Sequence, residues 1–560
     1  YRLQAHIPRT WAGDAAVPDA CFPLNADGKR VRGVMLCFGA PETLQMYLAR
    51  IREEVEGGRP SGVMQGASVA VSPADAGVRC HCKWCEPYFT AADGSTHGDA
   101  SRLMCDFVRK LSDALAERHP DLYISYLPYM NYCGAPEGVD FPAGNVHAQL
   151  CIMSGVAMFR DRATKASWES LLRRWREVTH TKVTTWDYPC WPAEWCKAPY
   201  LYGNLIAGHY RDMRDVSSGS FLCGGELQRH ALSCYLLAKA LWNPEIVPDK
   251  VYDAFAKGLF GHAARPMRRI IAMQEAGWMR PWEKNEASLK NVYRVSYPRK
   301  DVMKMEALFA QAEKKAKGDA LILKRIAWYK AGFSDFFRES QEVAEGSSFA
   351  PLSVKKVAVA PRVDGQLDDE AWQHAPALPF VLDQNLKNPK PHYPTTIQAV
   401  WTPDGICFGF RMTEPAVDKL VVDRTPGNYW NDSVEVFLDP AGEMADFYQI
   451  IADARDEGVS THGSPWKPEG LRGKAFRGAD FWSVEVWVPF TDIAKIPGAR
   501  HPKGGAEGIS WRGNFTRHRL ADCWAAGRPA DSVRENQRLN TRGAQQNMDP
   551  SAMGPIVFVE

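Results

Sequence analysis

The hydrophobic period of this 560-residue chain changes once, at the stretch Gly-Ser-Ser-Phe-Ala-Pro over 346–351, and that change limits what either side can fold into. Before it, short apolar runs at 34–38, 67–72, 122–129, 146–152, 182–188 and 220–223 alternate with segments of helical period at 41–55, 100–118, 168–178, 202–213, 230–241 and 248–259. Such alternation predicts βαβ units and a parallel sheet. Beyond it, runs at 397–402, 406–413, 433–439, 447–452, 482–489 and 556–559 repeat every second residue between Gly, Pro and Asp turns. That pattern predicts an antiparallel β-sandwich.

Six strand–helix repeats with no Gly-x-Gly-x-x-Gly turn favour a (β/α)8-type barrel over an open nucleotide-binding sheet, but a barrel needs eight strands. One irregular strand is expected within the Pro-, Ala- and Asp-rich residues 1–30; otherwise the missing strands lie upstream of Tyr1. Two long amphipathic helices, 301–317 and 320–345, predict a helical extension whose aromatic face packs on the barrel. The expected division is 1–261 barrel, 262–345 helical extension, 346–353 linker and 354–560 sandwich.

Lys+Arg 68 against Asp+Glu 66 leaves a net charge of +2, so no broad field exists to gather nucleic acid. No run of eighteen apolar residues is present, which excludes a spanning helix. The chain opens at Tyr1 without a signal segment, as expected of a mature or trimmed chain. The 19 Trp and 19 Tyr supply flat, polar-edged rings of the kind that stack on sugars, or fill large cores.

Glycoside cleavage needs one protonated and one ionised carboxyl across the scissile bond, and barrel chemistry sits at the carboxyl ends of strands. Three acids hold that position: Asp75, Asp187 and Glu226. Asp187 stands between Trp186 and Tyr188, where apolar rings would raise its proton affinity. Glu226 follows two glycines that let a backbone approach ligand closely. Each has a bland alternative: a helix or loop cap for Asp75, an Arg partner for Asp187, a helix cap for Glu226. Tyr129, Asn131, Tyr132, Trp186, Tyr188, Trp191 and His209 are the expected supporting groups, and Arg79 would suit the carboxylate of a uronic acid. Cys80-x-Cys82-x-x-Cys85 brings three sulfurs together, as zinc requires once His81, His97 or Cys105 supplies a fourth ligand. A disulfide with one free thiol is the competing reading.

Val363-Asp-Gly-Gln-Leu-Asp-Asp-Glu-Ala-Trp372, Tyr429-Trp-Asn-Asp-Ser-Val-Glu-Val-Phe-Leu-Asp439 and Phe481-Trp-Ser-Val-Glu-Val-Trp-Val-Pro-Phe490 resemble the opening, central and later strands of carbohydrate-binding module family 9. The resemblance implies a glycan end held between aromatic faces, with Trp430 as one face, and calcium supporting the loops. The second Trp of such modules is missing from Asn547–Gly554, leaving Trp524 or Tyr429 as substitutes. Val71-Ser-Pro-Ala-Asp-Ala-Gly77 with Cys80–Cys85, Trp186-Asp-Tyr188, Gly224-Gly-Glu226 and Tyr235–Pro244 resemble the domain of unknown function 4838, similar in layout to α-glucuronidase barrels. That resemblance implies a secreted, periplasmic or cell-surface bacterial glycoside hydrolase acting on a polysaccharide without a catalytic cofactor. It implies Asp75 as general acid and Asp187 or Glu226 as base or nucleophile. The alternative is a glycan-binding or cell-envelope protein that does not cleave.

Overall fold

A computed structural model describes the chain except residues 1–15, 33–34, 74–75, 90–98, 153–159, 189–195, 224–225, 283–287, 346–348, 383–389, 423–430, 457, 464, 503–504, 507, 522–534 and 541–551. The first sheet contains β1 (Met64–Gln65), β2 (Ser68–Val71), β3 (Tyr123–Tyr126), β4 (Val146–Ile152), β5 (Val183–Asp187) and β6 (Ser217–Leu222), in sequential order. β1 is antiparallel to β2, and the rest are parallel. The intervening helices are α1 (Pro41–Gly57), α2 (Ser101–Arg118), α3 (Arg162–Thr179) and α4 (Gly203–Asp212). Local chemistry sets their ends. Pro41 enters α1 where its missing N–H costs nothing, Gly58 leaves it at φ 67, and Asp161 caps α3 by accepting from the Thr164 N–H at 2.7 Å.

Side-chain alternation separates the two faces of this sheet. Tyr126 of β3 meets Trp175 of α3 with centroids 5.5 Å apart, and Thr185 and Asp187 share its face through the ladder. Helices cover that face. The opposite face carries His147, Cys151, Trp186 and Phe221, with Phe221 48% exposed. Sequential order with helices on one side is the winding of a β/α barrel. Among the described residues it is an open six-stranded sheet, short of the eight strands that closure of a barrel needs. The stretch Met35–Phe38, expected as a strand, is buried but joins no ladder.

After β6 come α5 (Ala231–Trp242), α6 (Pro248–Phe260), α7 (Ala264–Trp278), α8 (Arg299–Lys315), α9 (Ala320–Ala331) and α10 (Ser334–Glu345). The single helix expected over 320–345 breaks at Gly332, where an added Cβ would lie 2.7 Å from the Gln228 carbonyl oxygen. Only a residue without a side chain fits that approach. The helical extension is not a separate body: one continuous apolar cluster runs from Val17 through Leu150 and Met267 to Phe336.

The C-terminal part is a second, antiparallel-rich sheet folded on itself around its own core. Its strands are β7 (Leu352–Lys356), β8 (Leu378–Pro379), β9 (Val381–Leu382), β10 (Thr395–Thr402), β11 (Gly405–Thr413), β12 (Ser433–Asp439), β13 (Tyr448–Asp453), β14 (Val459–His462), β15 (Arg472–Arg477), β16 (Phe481–Pro489), β17 (Ser510–Arg519), β18 (Glu535–Arg538) and β19 (Gly554–Val559). The principal path is β14-β13-β12-β17-β19-β7-β10-β11-β16-β15. Its two ends nearly meet: an added Cβ on Gly473 of β15 would lie 2.9 Å from Val459 of β14. Trp401, Phe408, Phe410, Trp482, Trp511 and Phe515 fill the interior. β7 begins inside the expected linker, since Leu352 and Ser353 pair with Ile556 and Val557. The protein is thus a mixed α/β unit with a helical extension followed by a β-sandwich. No helix among the described residues is long and apolar enough to cross a membrane.

Candidate functional site

The open face of the first sheet gathers aromatic side chains at the carboxyl ends of its parallel strands. Trp186 and Phe221 are ladder neighbours with ring centroids 4.4 Å apart. Tyr188 lies beyond Trp186, with the Cys151 thiol 3.9 Å from its hydroxyl. Burial, then the nearby thiols of Cys151 and Cys223, push the Tyr188 pKa up, with Tyr129 contributing in the same direction. These rings therefore occupy one neighbourhood. Met130, next to Tyr129, has φ 47, a left-handed conformation that non-glycine residues adopt at a cost.

Asp187, one of the three expected acids, does not share this face. Asp187 is 3% exposed, and its Oδ2 accepts hydrogen bonds from Thr185 (2.8 Å), Tyr210 of α4 (2.9 Å) and Ser220 (2.6 Å). Burial, and next the Asp187 charge, push the Tyr210 pKa well up, so its hydroxyl stays a donor. Period-two geometry explains the correction: with Trp186 on the open face, Asp187 must point to the helices. Its hydrogen bonds tie β5, β6 and α4 together. Glu226 remains accessible, its side chain 55% exposed, with Oε2 3.0 Å from buried Arg229, which also pairs with Asp335 of α10 at 3.0 Å. Asp75 lies outside the described residues, as do Trp191 and Trp430, with Tyr429 and Trp524.

Two other expected ligand groups are committed to the scaffold. The Asn131 amide accepts from the Val78 N–H at 2.8 Å and donates to the Val78 carbonyl at 2.9 Å, strapping the loop after β2 to the turn after β3. His209 is buried on α4 with Nδ1 3.2 Å from Glu169 of α3, in the helix layer and away from the strand ends. Burial works against it, but hydrogen bonding from His209 and the charge of Lys165 bring the Glu169 pKa down. Tyr132 is buried and packs on Tyr129 with centroids 6.3 Å apart. Arg79 is exposed, immediately before Cys80.

The cysteine cluster closes on a residue sequence reasoning missed. Cys37, Cys80, Cys82 and Cys85 are all buried, with their Sγ atoms within 4.8 Å of one another. His81 instead faces Glu86 at 3.5 Å, Cys105 stands buried on α2, and His97 lies outside the described residues. Hydrogen bonds from Cys37 and Cys85, opposed by burial and helped by the Leu24 and Cys82 N–H groups, hold the Cys80 thiol far below the usual range. The available signal was positional: Cys37 sits in an apolar run, Met35–Phe38, that precedes a helix just as the strands do.

The sandwich arranges polar groups of its own. Glu485 accepts from Trp372 Nε1 and from the Asp364 and Gly365 N–H groups, each at 2.9 Å, fixing the opening turn. Gly365 has φ 85, and an added Cβ would lie 2.5 Å from the Ala475 carbonyl carbon, so only glycine fits. On the outer face, Glu435 joins His518 at 3.2 Å and Gln449 at 3.1 Å.

Among solved structures, the chain is similar to a carbohydrate binding module of family 9 from Caldicellulosiruptor kristjanssonii in complex with cellotriose. The match has 15% identity and TM-score 0.28, and covers 37% of this chain and 93% of that one. The glucose complex of a family 9 module from the same organism matches at 14% identity and TM-score 0.27, over 37% of this chain and 95% of that one. A GH138 enzyme targeting pectin rhamnogalacturonan II matches at 10% identity and TM-score 0.27, over 58% of this chain and 50% of that one. No curated protein matches the chain. The family model of the domain of unknown function DUF4838 matches residues 7–272, the segment that holds the parallel sheet and the cysteine cluster.

Proposed function

We propose that this chain is a carbohydrate-active protein that lays a glycan across the open face of its parallel sheet and hydrolyses a glycosidic bond there. The observation that carries the reading is the Trp186–Phe221 pair, partly exposed at the carboxyl ends of parallel strands. Ring faces suit the apolar surface of a pyranose, and parallel β/α sheets place ligands at that rim. Asp75, on sequence position, is the expected general acid, and Glu226 is the accessible carboxylate that would act as base or nucleophile. Asp187 holds the strands beneath the rings in register. The β-sandwich would keep a polysaccharide near this rim, and secretion or display at the cell surface follows from such a substrate.

Reducing-end release from a panel of plant and bacterial polysaccharides tests the proposal. Glu226→Gln and Asp75→Asn are each expected to lower turnover by about 100-fold or more. Trp186→Ala is expected to weaken glycan binding by about tenfold, in keeping with one lost stacking contact. Unchanged turnover in both acid variants would remove the assignment. A second reading is glycan capture without cleavage, favoured by the sealed environment of Asp187 and the existing Arg229 partner of Glu226. It predicts Trp186-dependent binding with no product from any polysaccharide.

A further inference from the structure

We propose that Cys37, Cys80, Cys82 and Cys85 bind one zinc ion through four thiolates, fastening the loop after β2 to the segment before α1. Neither the aromatic face nor the acids explain this cluster. From the Cys37 Sγ, the other three sulfurs lie at 3.5 Å (Cys82), 3.5 Å (Cys85) and 3.6 Å (Cys80). Zinc–sulfur bonds of about 2.3 Å in a tetrahedron place neighbouring sulfurs about 3.8 Å apart, so the cage is near the size one ion needs. Thiolates on an iron–sulfur cluster cap its outer corners and stand farther apart than thiolates sharing one ion. The four sulfurs leave no open coordination position, so the ion is structural.

The surroundings suit an electron-rich centre. The Leu24 N–H points at the Cys80 sulfur at 3.3 Å, the kind of outer donor that steadies a thiolate. The Cys85 and Glu86 N–H groups close on the Cys82 carbonyl at 3.0 and 2.9 Å, forming the tight turn that aims Cys82 and Cys85 the same way. Gly39 passes directly beside the cage: an added Cβ would lie 2.7 Å from the Cys85 Sγ and 3.1 Å from the Trp84 backbone. Binding replaces the four thiol protons, which pass to solvent, so no oxidant or reductant is needed.

The decisive measurement is metal analysis of the full chain, purified without a histidine tag, together with the absorption spectrum after growth on cobalt. One zinc per chain, and the thiolate-to-cobalt charge-transfer and intense visible bands of a tetrahedral sulfur site, are expected. Cys37→Ser should lose the ion. Gly39→Ala keeps every thiol, and its zinc is expected to pass to a chelator about tenfold or more faster, as outer-sphere changes do. Metal-free protein, iron in place of zinc, disulfides among these four residues in alkylated unreduced material, or zinc that survives Cys37→Ser would each overturn the assignment. The wild-type metal content and cobalt spectrum decide the matter even where a variant fails to fold, and neither depends on glycan cleavage.

Discussion

Replacing Glu414 with Ala is expected to destabilise the sandwich by about 3–5 kcal/mol, because it leaves two buried guanidinium groups without their shared carboxylate. Glu414 follows β11 and is fully buried with Arg517 and Arg519 of β17. Arg519 grips both carboxylate oxygens, at 2.7 and 2.9 Å, and its guanidinium lies 3.9 Å from the Tyr393 ring centroid. Arg517 reaches the same carboxylate at 3.2 Å and donates to the carbonyls of Tyr393 and Thr413 at 2.7 and 3.1 Å. Burial drives the Arg517 pKa down to about 10 even with Glu414 opposing it. Phe515, Arg517 and Arg519 alternate onto the inward face of β17, so the triad stoppers one end of an otherwise aromatic core. Urea unfolding of the full chain, read at the sandwich transition, gives the shift. A loss under about 1 kcal/mol would mean that Asp432 and Glu535 neutralise the pair without Glu414. Exchanging all three residues together for apolar ones of similar size is expected to restore most of the stability, since burying the charges is itself costly.

The second large effect is a dependence on pH that runs opposite to ordinary acid denaturation. Burial raises the Glu485 pKa from 4.5 to about 7, against the hydrogen bonds from Trp372, Gly365 and Asp364. The folded protein then holds a proton that the unfolded chain has released, so the contribution is fully favourable below pH 4.5 and is lost as pH rises through 7. At about 1.4 kcal/mol per pKa unit, the loss is about 3 kcal/mol by pH 8. Asp432, raised by burial to about 6, acts in the same sense. Urea midpoints at pH 5 and pH 8 are expected to fall for the wild type. In Glu485→Gln the lower baseline reflects an amide placed among N–H donors, and the fall is expected to shrink to the part owed to Asp432. Equal falls in the two proteins would remove Glu485 as the cause.

Much of the fold is legible because the burial pattern repeats locally. The apolar runs behind β2 to β6 and the period-two runs behind β10, β11, β12 and β16 lie within a residue or three of the observed strands, since one covered face requires that spacing. Short polar pieces such as Glu535–Arg538 carry no such signal and pair only because β17 and β9 flank them. The candidate site is less legible, and Asp187 shows why. Sequence places it at a strand end but cannot say which face of the strand meets the helices, and its hydroxyl partners Tyr210 and Ser220 are 23 and 33 residues away. Cys37 escaped for a similar reason: 43 residues separate it from Cys80, and only the return of the chain through α1 and β2 makes them neighbours. The family resemblance named both halves of the molecule, but it could not show that Asn131 spends its amide on Val78.

One contact bears on how far the sandwich can travel. The Lys290 N–H donates to the Met444 carbonyl at 3.1 Å, and its ammonium lies 2.6 Å from Glu443. Met444 takes φ 61 there, and its side chain joins the apolar cluster of the α/β half. Under the glycan capture proposed above, a polymer held by the β-rich half would be offered to the aromatic rim from one bearing and at one reach, as a workpiece held in a vice, instead of sweeping an arc on a loose tether.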